Sequence, residues 1–191
     1  GVDTLMPQVI SKIFLTEDKL IILEDDCIPH KSFFNFCQIL LNKYENEPKI
    51  MSIAGTNWFD DKISIDDSYL YSIHADGPGW ATWKRSWAKY DHEMKMFKAS
   101  NFKIVLRKIL KKDFINDYFN LINESYNQIK MGNLKKTHWD VKWMYSCFIN
   151  NGLCIVPKKN MITNVGFNEL STHTKDSNSF RANRKAYKCD L

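Results

Sequence analysis

Residues 20–26 read Leu-Ile-Ile-Leu-Glu-Asp-Asp, an apolar run followed at once by three acidic residues. The apolar run predicts a buried β-strand. Three adjacent carboxylates repel one another, and a hard divalent cation such as Mg²⁺ or Mn²⁺ removes that repulsion. Ligands of open α/β sheets bind just beyond the carboxyl ends of strands. The stretch therefore predicts a metal site beside a phosphorylated ligand. The alternative is a solvated acidic turn that caps the next helix.

The chain around this stretch alternates between helix and strand patterns. Apolar residues at helical spacing follow the acidic residues, and a second buried strand at 50–54 ends at Gly55. Strand, helix and strand in this order are typical of a mostly parallel central sheet, so the expected fold class is α/β. Periodicity also predicts helices at 2–15, 101–110, 113–130 and 137–149, and strands at 69–73 and 153–156.

Composition narrows the class of protein. The chain has 191 residues with 44% hydrophobic, which predicts one globular domain over 1–191, with a loosely held polar tail from residue 174. Five cysteines without Cys-x-x-Cys spacing argue against a disulfide framework or a zinc site and favour reduced thiols in a cytoplasmic protein. The net charge of +5 comes without a nucleic-acid-binding motif, so no nucleic acid partner is expected.

Several short motifs occur in one order: Leu-Glu-Asp-Asp at 23–26, Gly-Trp-Ala-Thr-Trp at 79–83, Trp-Asp at 139–140, Asn-Val-Gly-Phe at 164–167 and Thr-His-Thr at 172–174. In this order the chain resembles bacterial glycosyltransferase family 2-like proteins, which are similar to the N-acetylglucosaminyltransferase I group. The resemblance implies a GT-A layered α/β/α fold. It also implies a metal-dependent transfer of a hexose, with inversion of configuration, in cell-surface glycan synthesis. The implied donor is a nucleotide diphosphate sugar, most often a UDP-sugar, and the implied acceptor is a hydroxyl of a glycan or of a lipid-linked acceptor.

The resemblance also implies a unit that is not seen in this sequence. Similar proteins begin with a strand-helix-strand unit that holds the nucleobase. Here only the predicted helix at 2–15 precedes the acidic strand, so the chain resembles a GT-A domain that is truncated at its N-terminus.

The resemblance assigns roles to the acidic residues. Asp26, the last of the three and the farthest from the strand, is the candidate ligand of Mn²⁺ or Mg²⁺. Asp25 is expected to contact the ribose, and Glu24 the donor sugar. His173 is a second candidate metal ligand, and the alternative is a surface histidine in a polar loop.

The remaining site residues lie on the sugar and acceptor sides. Gly79 is expected to let the backbone approach the sugar closely. The indole of Trp80 is expected to contact the sugar ring, and the alternative for Trp80 is a core residue. Asp76 is a candidate to bind an acceptor hydroxyl, and the alternative is that it stabilises the Gly-Pro turn that follows it. Asp140 is the candidate general base, with Trp139 beside it on the acceptor side to desolvate it. The alternative for Asp140 is ordinary compensation of the helix dipole.

Two other functions and one partner stay open. The chain is alternatively a catalytically incomplete remnant that binds a sugar nucleotide or glycan, or a metal-dependent phosphohydrolase. Cys27 has no base at readable spacing and is interpreted as a packed thiol. Lys103, Arg107 and Lys111 recur every four residues on one predicted helix. That pattern predicts either peripheral contact with the inner face of a membrane, which lipid-linked acceptors would explain, or a solvated helix face.

Overall fold

The computed structural model describes residues 2–62, 65–75, 77–167 and 179–191. Within these ranges the helices are α1 (Val2–Ile13), α2 (Ser32–Lys43), α3 (Lys84–Trp87), α4 (Ala99–Ile109), α5 (Lys112–Lys130) and α6 (Trp139–Ile149), with a 3₁₀ turn at Leu134–Lys136. The strands are β1 (Lys19–Ile22), β2 (Cys27–Pro29), β3 (Ile50–Ala54), β4 (Tyr69–Ser72), β5 (Trp80–Trp83), β6 (Leu153–Pro157) and β7 (Ile162–Asn164). The chain divides into two compact units, 1–18 with 84–152 and 19–83 with 153–191.

The unit formed by 19–83 and 153–191 contains a five-stranded sheet in the order β1-β5-β3-β6-β4. Only β3 and β6 pair in parallel, and the other three pairs are antiparallel. The α/β class is confirmed, whereas the prediction of a mostly parallel sheet is wrong. The reason is β5, which inserts between β1 and β3 and runs opposite to both. Its four residues, Trp-Ala-Thr-Trp, are all buried and show no alternation that would have predicted a strand.

Strand direction places several chain segments at one edge of this sheet. Because β5 is antiparallel to β1 and to β3, and β3 is parallel to β6, the strands β1, β3 and β6 all run the same way. Trp80, the first residue of β5, pairs with Ile22 of β1 and with Ala54 of β3. The residues after β1, the residues after β3 and the residues before β5 therefore meet at the same edge.

Helix α2 covers one face of the sheet. Its apolar residues recur at helical spacing and are buried, as the periodicity predicts: Phe33, Phe36, Cys37, Leu40 and Leu41. They belong to one core cluster with Ile53, Ala81 and Ile155 of three strands. The indole nitrogen of Trp83 donates to the carbonyl of Leu41 over 2.9 Å and fixes the helix to β5. The predicted strand β1 is present, but it is one of the two edge strands of this sheet, so its residues are half-buried rather than buried.

The C-terminal residues 179–191 are packed against the same unit. The amide of Tyr187 donates to the carbonyl of Asn160 over 2.7 Å, and Cys189 is buried. Arg184 forms an ion pair with Asp60, whose side chain is also buried. These contacts were not predictable from polar composition, which indicated a loose tail from residue 174; residues 174–178 lie outside the described ranges.

The unit formed by 1–18 and 84–152 is helical, and a buried ion pair joins two of its helices. Lys142 of α6 is fully buried, and its ammonium lies 2.7 Å from a carboxylate oxygen of Asp3 in the first turn of α1. The ammonium also donates to the hydroxyl of Thr137 over 3.3 Å. The pair therefore joins α1 to α6 and to the residues just before α6. No helix in the described part of the chain is long and apolar enough to span a bilayer.

We expect Asp3→Asn to lower the free energy of unfolding by about 3 kcal/mol, because the Lys142 charge would then be buried without a counter-charge. Urea denaturation followed by circular dichroism measures this change. The control is Glu93→Gln, which removes one partner of the exposed Lys95 pair and should leave stability nearly unchanged. Equal effects of the two substitutions would contradict the role given to the buried pair.

Candidate functional site

The acidic residues form a tight turn between β1 and β2. The amide of Cys27 donates to the carbonyl of Glu24 over 3.1 Å and closes the turn. Glu24 and Asp26 are half-buried, and Asp25 is exposed. All three carboxylates follow directly from the end of β1, so the structure places them at the sheet edge that the sequence predicts.

The Asn-Val-Gly segment at 164–166 lies against this turn. Strand β7 pairs with β2, and Asn164 lies opposite Cys27. The amide of Val165 donates to the carbonyl of Asp26 over 2.9 Å. A Cβ added to Gly166 would lie 2.0 Å from Oδ2 of Asp26, so glycine is required for this close approach. Two motifs far apart in the sequence thus meet at the carboxylate of Asp26.

The start of the Gly-Trp-Ala-Thr-Trp motif also reaches this edge. Gly79 has a φ of +69°, and its carbonyl accepts from the amide of Gly55 over 2.7 Å. A Cβ on Gly79 would lie 2.7 Å from Cδ1 of Ile162 and 3.2 Å from Cδ2 of Leu23. Leu23 directly precedes the acidic residues, so Gly79 packs against the base of the turn. Trp80 is only 4% exposed, which favours its alternative role as a core residue.

A cluster of exposed aromatic side chains lies on the same unit and was missed by sequence reasoning. The rings of Phe59 and Phe180 lie 6.4 Å apart at 30° and are about half exposed. The guanidinium of Arg181 lies 5.4 Å from the ring of Trp58 and 5.5 Å from that of Phe180. We call Trp58, Phe59, Phe180 and Arg181 the aromatic cluster. Aromatic faces beside a hydrogen-bond donor suit a sugar ring.

The aromatic cluster is connected to the acidic turn through the chain and through one hydrogen bond. Trp58 and Phe59 follow Gly55 at the end of β3, on the edge where β1 ends. On the other side, the amide of Asn183 donates to the carbonyl of Asn164 over 3.1 Å. The sequence signal that could have found the cluster is the Asn-Trp-Phe run at 57–59, which follows the buried strand at 50–54.

The predicted base lies on the other compact unit. Asp140 is in the first turn of α6 and is exposed, and Trp139 beside it is largely buried. The expected desolvation of Asp140 by Trp139 is therefore absent, and its assignment as the base stays a prediction. Asp76 and His173 lie outside the described residues.

The surroundings of Cys27 disfavour the thiolate form of its side chain. Burial raises the pKa of the Cys27 thiol to about 12, and the negative charges of Asp26 and Glu24 add to this effect. The thiol donates weakly to Asp26 over 3.6 Å. A thiol that stays protonated at neutral pH is a poor nucleophile, so the geometry favours the packed role for Cys27.

The acidic turn has the donor atoms for a hard cation but not a complete cage. In the described ranges, no three His, Cys, Asp or Glu side chains are grouped so that they would hold a metal ion. Mg²⁺ is usually held by one or two carboxylates together with substrate phosphates, and Mn²⁺ likewise accepts carboxylate oxygens. The carboxylate of Asp26, close to a bare backbone at Gly166, fits that smaller requirement.

Comparison with models of known protein families and with curated proteins finds no match to this chain. The residues at the sheet edge and their geometry are therefore the basis for inferring function. Three segments meet there: the acidic turn, the glycines before β5, and the Asn-Val-Gly segment after β7.

We expect Gly79→Ala to destabilise the protein more than Gly132→Ala, by about 2 kcal/mol, because only the first substitution forces a methyl group into packed atoms. Gly132 is a matched control: its φ is +73°, close to that of Gly79, and nothing lies within 4 Å of an added Cβ. The positive φ alone costs about 1 kcal/mol in both variants. Thermal unfolding of the two variants measures the difference, and equal losses would show that the edge has room for a side chain.

Proposed function

We propose that this chain is a metal-dependent glycosyltransferase of the GT-A type. It would transfer a hexose from a nucleotide diphosphate sugar to a hydroxyl of a glycan or lipid-linked acceptor. The donor that we expect is a UDP-sugar. The observation that carries the proposal is the convergence of the acidic turn, Gly79 and Gly166 at one edge of the sheet. The common direction of β1, β3 and β6 supports the GT-A assignment, because it aligns three carboxyl ends at that edge.

The acidic turn supplies the donor side of this proposal. Asp26 would hold Mn²⁺ or Mg²⁺. The bound cation would neutralise the charge of the leaving diphosphate. Asp25 is exposed and would contact the ribose, and the half-buried Glu24 would contact the donor sugar. The lack of a side chain at Gly79 lets Leu23 and Ile162 pack against it beneath the turn, and the lack of one at Gly166 leaves space for the carboxylate of Asp26.

The acceptor side involves a base and a surface for the acceptor. Asp140 would take the proton from the acceptor hydroxyl, and direct displacement at the anomeric carbon then inverts its configuration. The aromatic cluster would hold the acceptor sugar, since it supplies the exposed aromatic surface that the buried Trp80 lacks. Binding energy from such a remote surface contributes to catalysis when it orients the reacting hydroxyl.

Calorimetric titration of UDP, with and without Mn²⁺, tests the donor side. We expect Mn²⁺-dependent binding that Asp26→Asn weakens at least about tenfold, the loss typical even of outer-shell partners. Gly166→Ala keeps the carboxylate but displaces it, so it should also weaken binding. The control Asp67→Asn removes an exposed carboxylate of the same unit and should leave binding unchanged.

The outcomes of this titration separate the candidate functions. Metal-dependent UDP binding that is lost in Asp26→Asn supports the donor site. Binding that does not depend on metal, or on Asp26, contradicts it. No binding of UDP or UDP-sugars by the wild-type chain would favour the alternative of a catalytically incomplete remnant that binds a glycan.

The base is tested by comparing two acids at equivalent helix positions. Asp140 and Asp113 lie in the first turns of α6 and α5, so both compensate a helix dipole. We expect Asp140→Asn to lower the rate of sugar transfer about 10²- to 10⁴-fold while UDP binding stays unchanged. Asp113→Asn should leave both unchanged. UDP released from UDP-glucose, UDP-galactose and UDP-N-acetylglucosamine with a glycolipid extract as acceptor measures the rate.

Equal rates in the two variants would mean that Asp140 only stabilises its helix. UMP and sugar 1-phosphate, the products of water attack on the diphosphate, are measured in the same reactions without acceptor. Their release would favour the phosphohydrolase alternative, which uses the same acidic turn.

A further inference from the structure

We propose that the exposed face of α4 docks on an anionic lipid bilayer. The surface is formed by Ile104, Arg107 and Lys108 on the helix and by Lys111 and Lys112 just after it, and we call it the basic face. The proposal gives the chain a membrane partner through its helical unit and does not depend on sugar transfer.

The positive charge of the protein is concentrated in this segment. Residues 98–112 contain six of the 27 basic residues and none of the 22 acidic ones. The other 21 basic and 22 acidic residues leave the remainder of the chain at a net charge of −1. A local excess of this size next to a nearly neutral remainder orients the protein toward a negatively charged surface.

The packing of α4 leaves its basic residues exposed. Phe102 and Leu106 are buried at 2% and 0% exposure and fix one side of the helix to its unit. On the opposite side Ile104 is 50% exposed, and Arg107 and Lys108 follow it by three and four residues. Residues at these spacings share one face of a helix, so two cations flank an exposed isoleucine.

The neighbouring elements define the limits of the basic face. Lys103 lies outside it, because its ammonium is 4.3 Å from the ring centre of Phe119 on α5. Helix α5 exposes Asp113, Asp117 and Glu124, so the positive surface does not extend along that helix. The charge pattern therefore singles out α4 rather than the helical pair.

Exposed apolar side chains favour a bilayer over a nucleic acid. Besides Ile104, Met96 is 76% exposed before α4 and Phe114 is 52% exposed after it. Interfacial helices combine basic residues with apolar side chains that enter the acyl boundary, whereas phosphate contacts to nucleic acid need only the charges. A solvated helix face would need neither the exposed isoleucine nor the absence of acids.

Vesicle co-sedimentation of the full chain tests the proposal. The probes are phosphatidylcholine vesicles with and without phosphatidylglycerol. We expect the wild-type chain to bind the vesicles that contain phosphatidylglycerol and to be released by salt. The double substitution Arg107→Gln with Lys108→Gln should weaken this binding about thirtyfold, since each basic residue near an anionic surface strengthens binding by a factor of about five. The matched control is Lys135→Gln with Lys136→Gln, two exposed lysines of the same unit, which should change binding less than about threefold.

A third variant separates insertion from charge. Ile104→Ser keeps every charge and should still reduce binding several-fold, because it removes the apolar contact. All these positions are exposed, and circular dichroism verifies that the variants are folded. Wild-type binding that does not depend on phosphatidylglycerol, or equal losses in the two double variants, overturns the proposal. So does tighter binding to a DNA duplex than to the vesicles, which would assign the basic face to nucleic acid. None of these three results bears on UDP binding, so the membrane proposal and the glycosyltransferase proposal can fail separately.

Discussion

The amide of Gly55 donates to the carbonyl of Gly79 over 2.7 Å, and neither residue has room for a Cβ. This contact lies where β5 enters the sheet between β1 and β3. It brings the end of β3, the start of β5 and, through Leu23, the base of the acidic turn to one edge. The candidate donor site depends on it, because a side chain at either glycine would push these three segments apart.

The chemistry proposed for this edge follows from what the fold leaves bare. Three carboxylates at the end of an edge strand are tolerated because one is exposed and the other two are half-buried. A hard cation would satisfy the same carboxylates, and Gly166 gives the carboxylate of Asp26 the space that it occupies. The candidate base Asp140 and the basic face both belong to the other compact unit, formed by 1–18 and 84–152.

The aromatic cluster illustrates where sequence reasoning stops. Trp80 was the natural choice for a sugar surface because it follows a glycine turn, yet it is buried in a central strand. Phe59 and Phe180 are separated by more than a hundred residues, and only the fold places their rings together. No local pattern connects them, since the contact depends on the same long-range packing that pairs Arg184 with Asp60.

Local pattern alone was enough to locate helices α1, α2, α4, α5 and α6, because burial on one face of a helix leaves a period in the sequence, and strands β1, β3 and β6, because each is a short apolar run. It also placed the acidic residues at a strand end. Tertiary structure decided the strand order, the antiparallel insertion of β5 and the approach of Gly166 to Asp26. These depend on pairing between residues far apart in the chain, and β5 carries no alternation because both of its faces are buried.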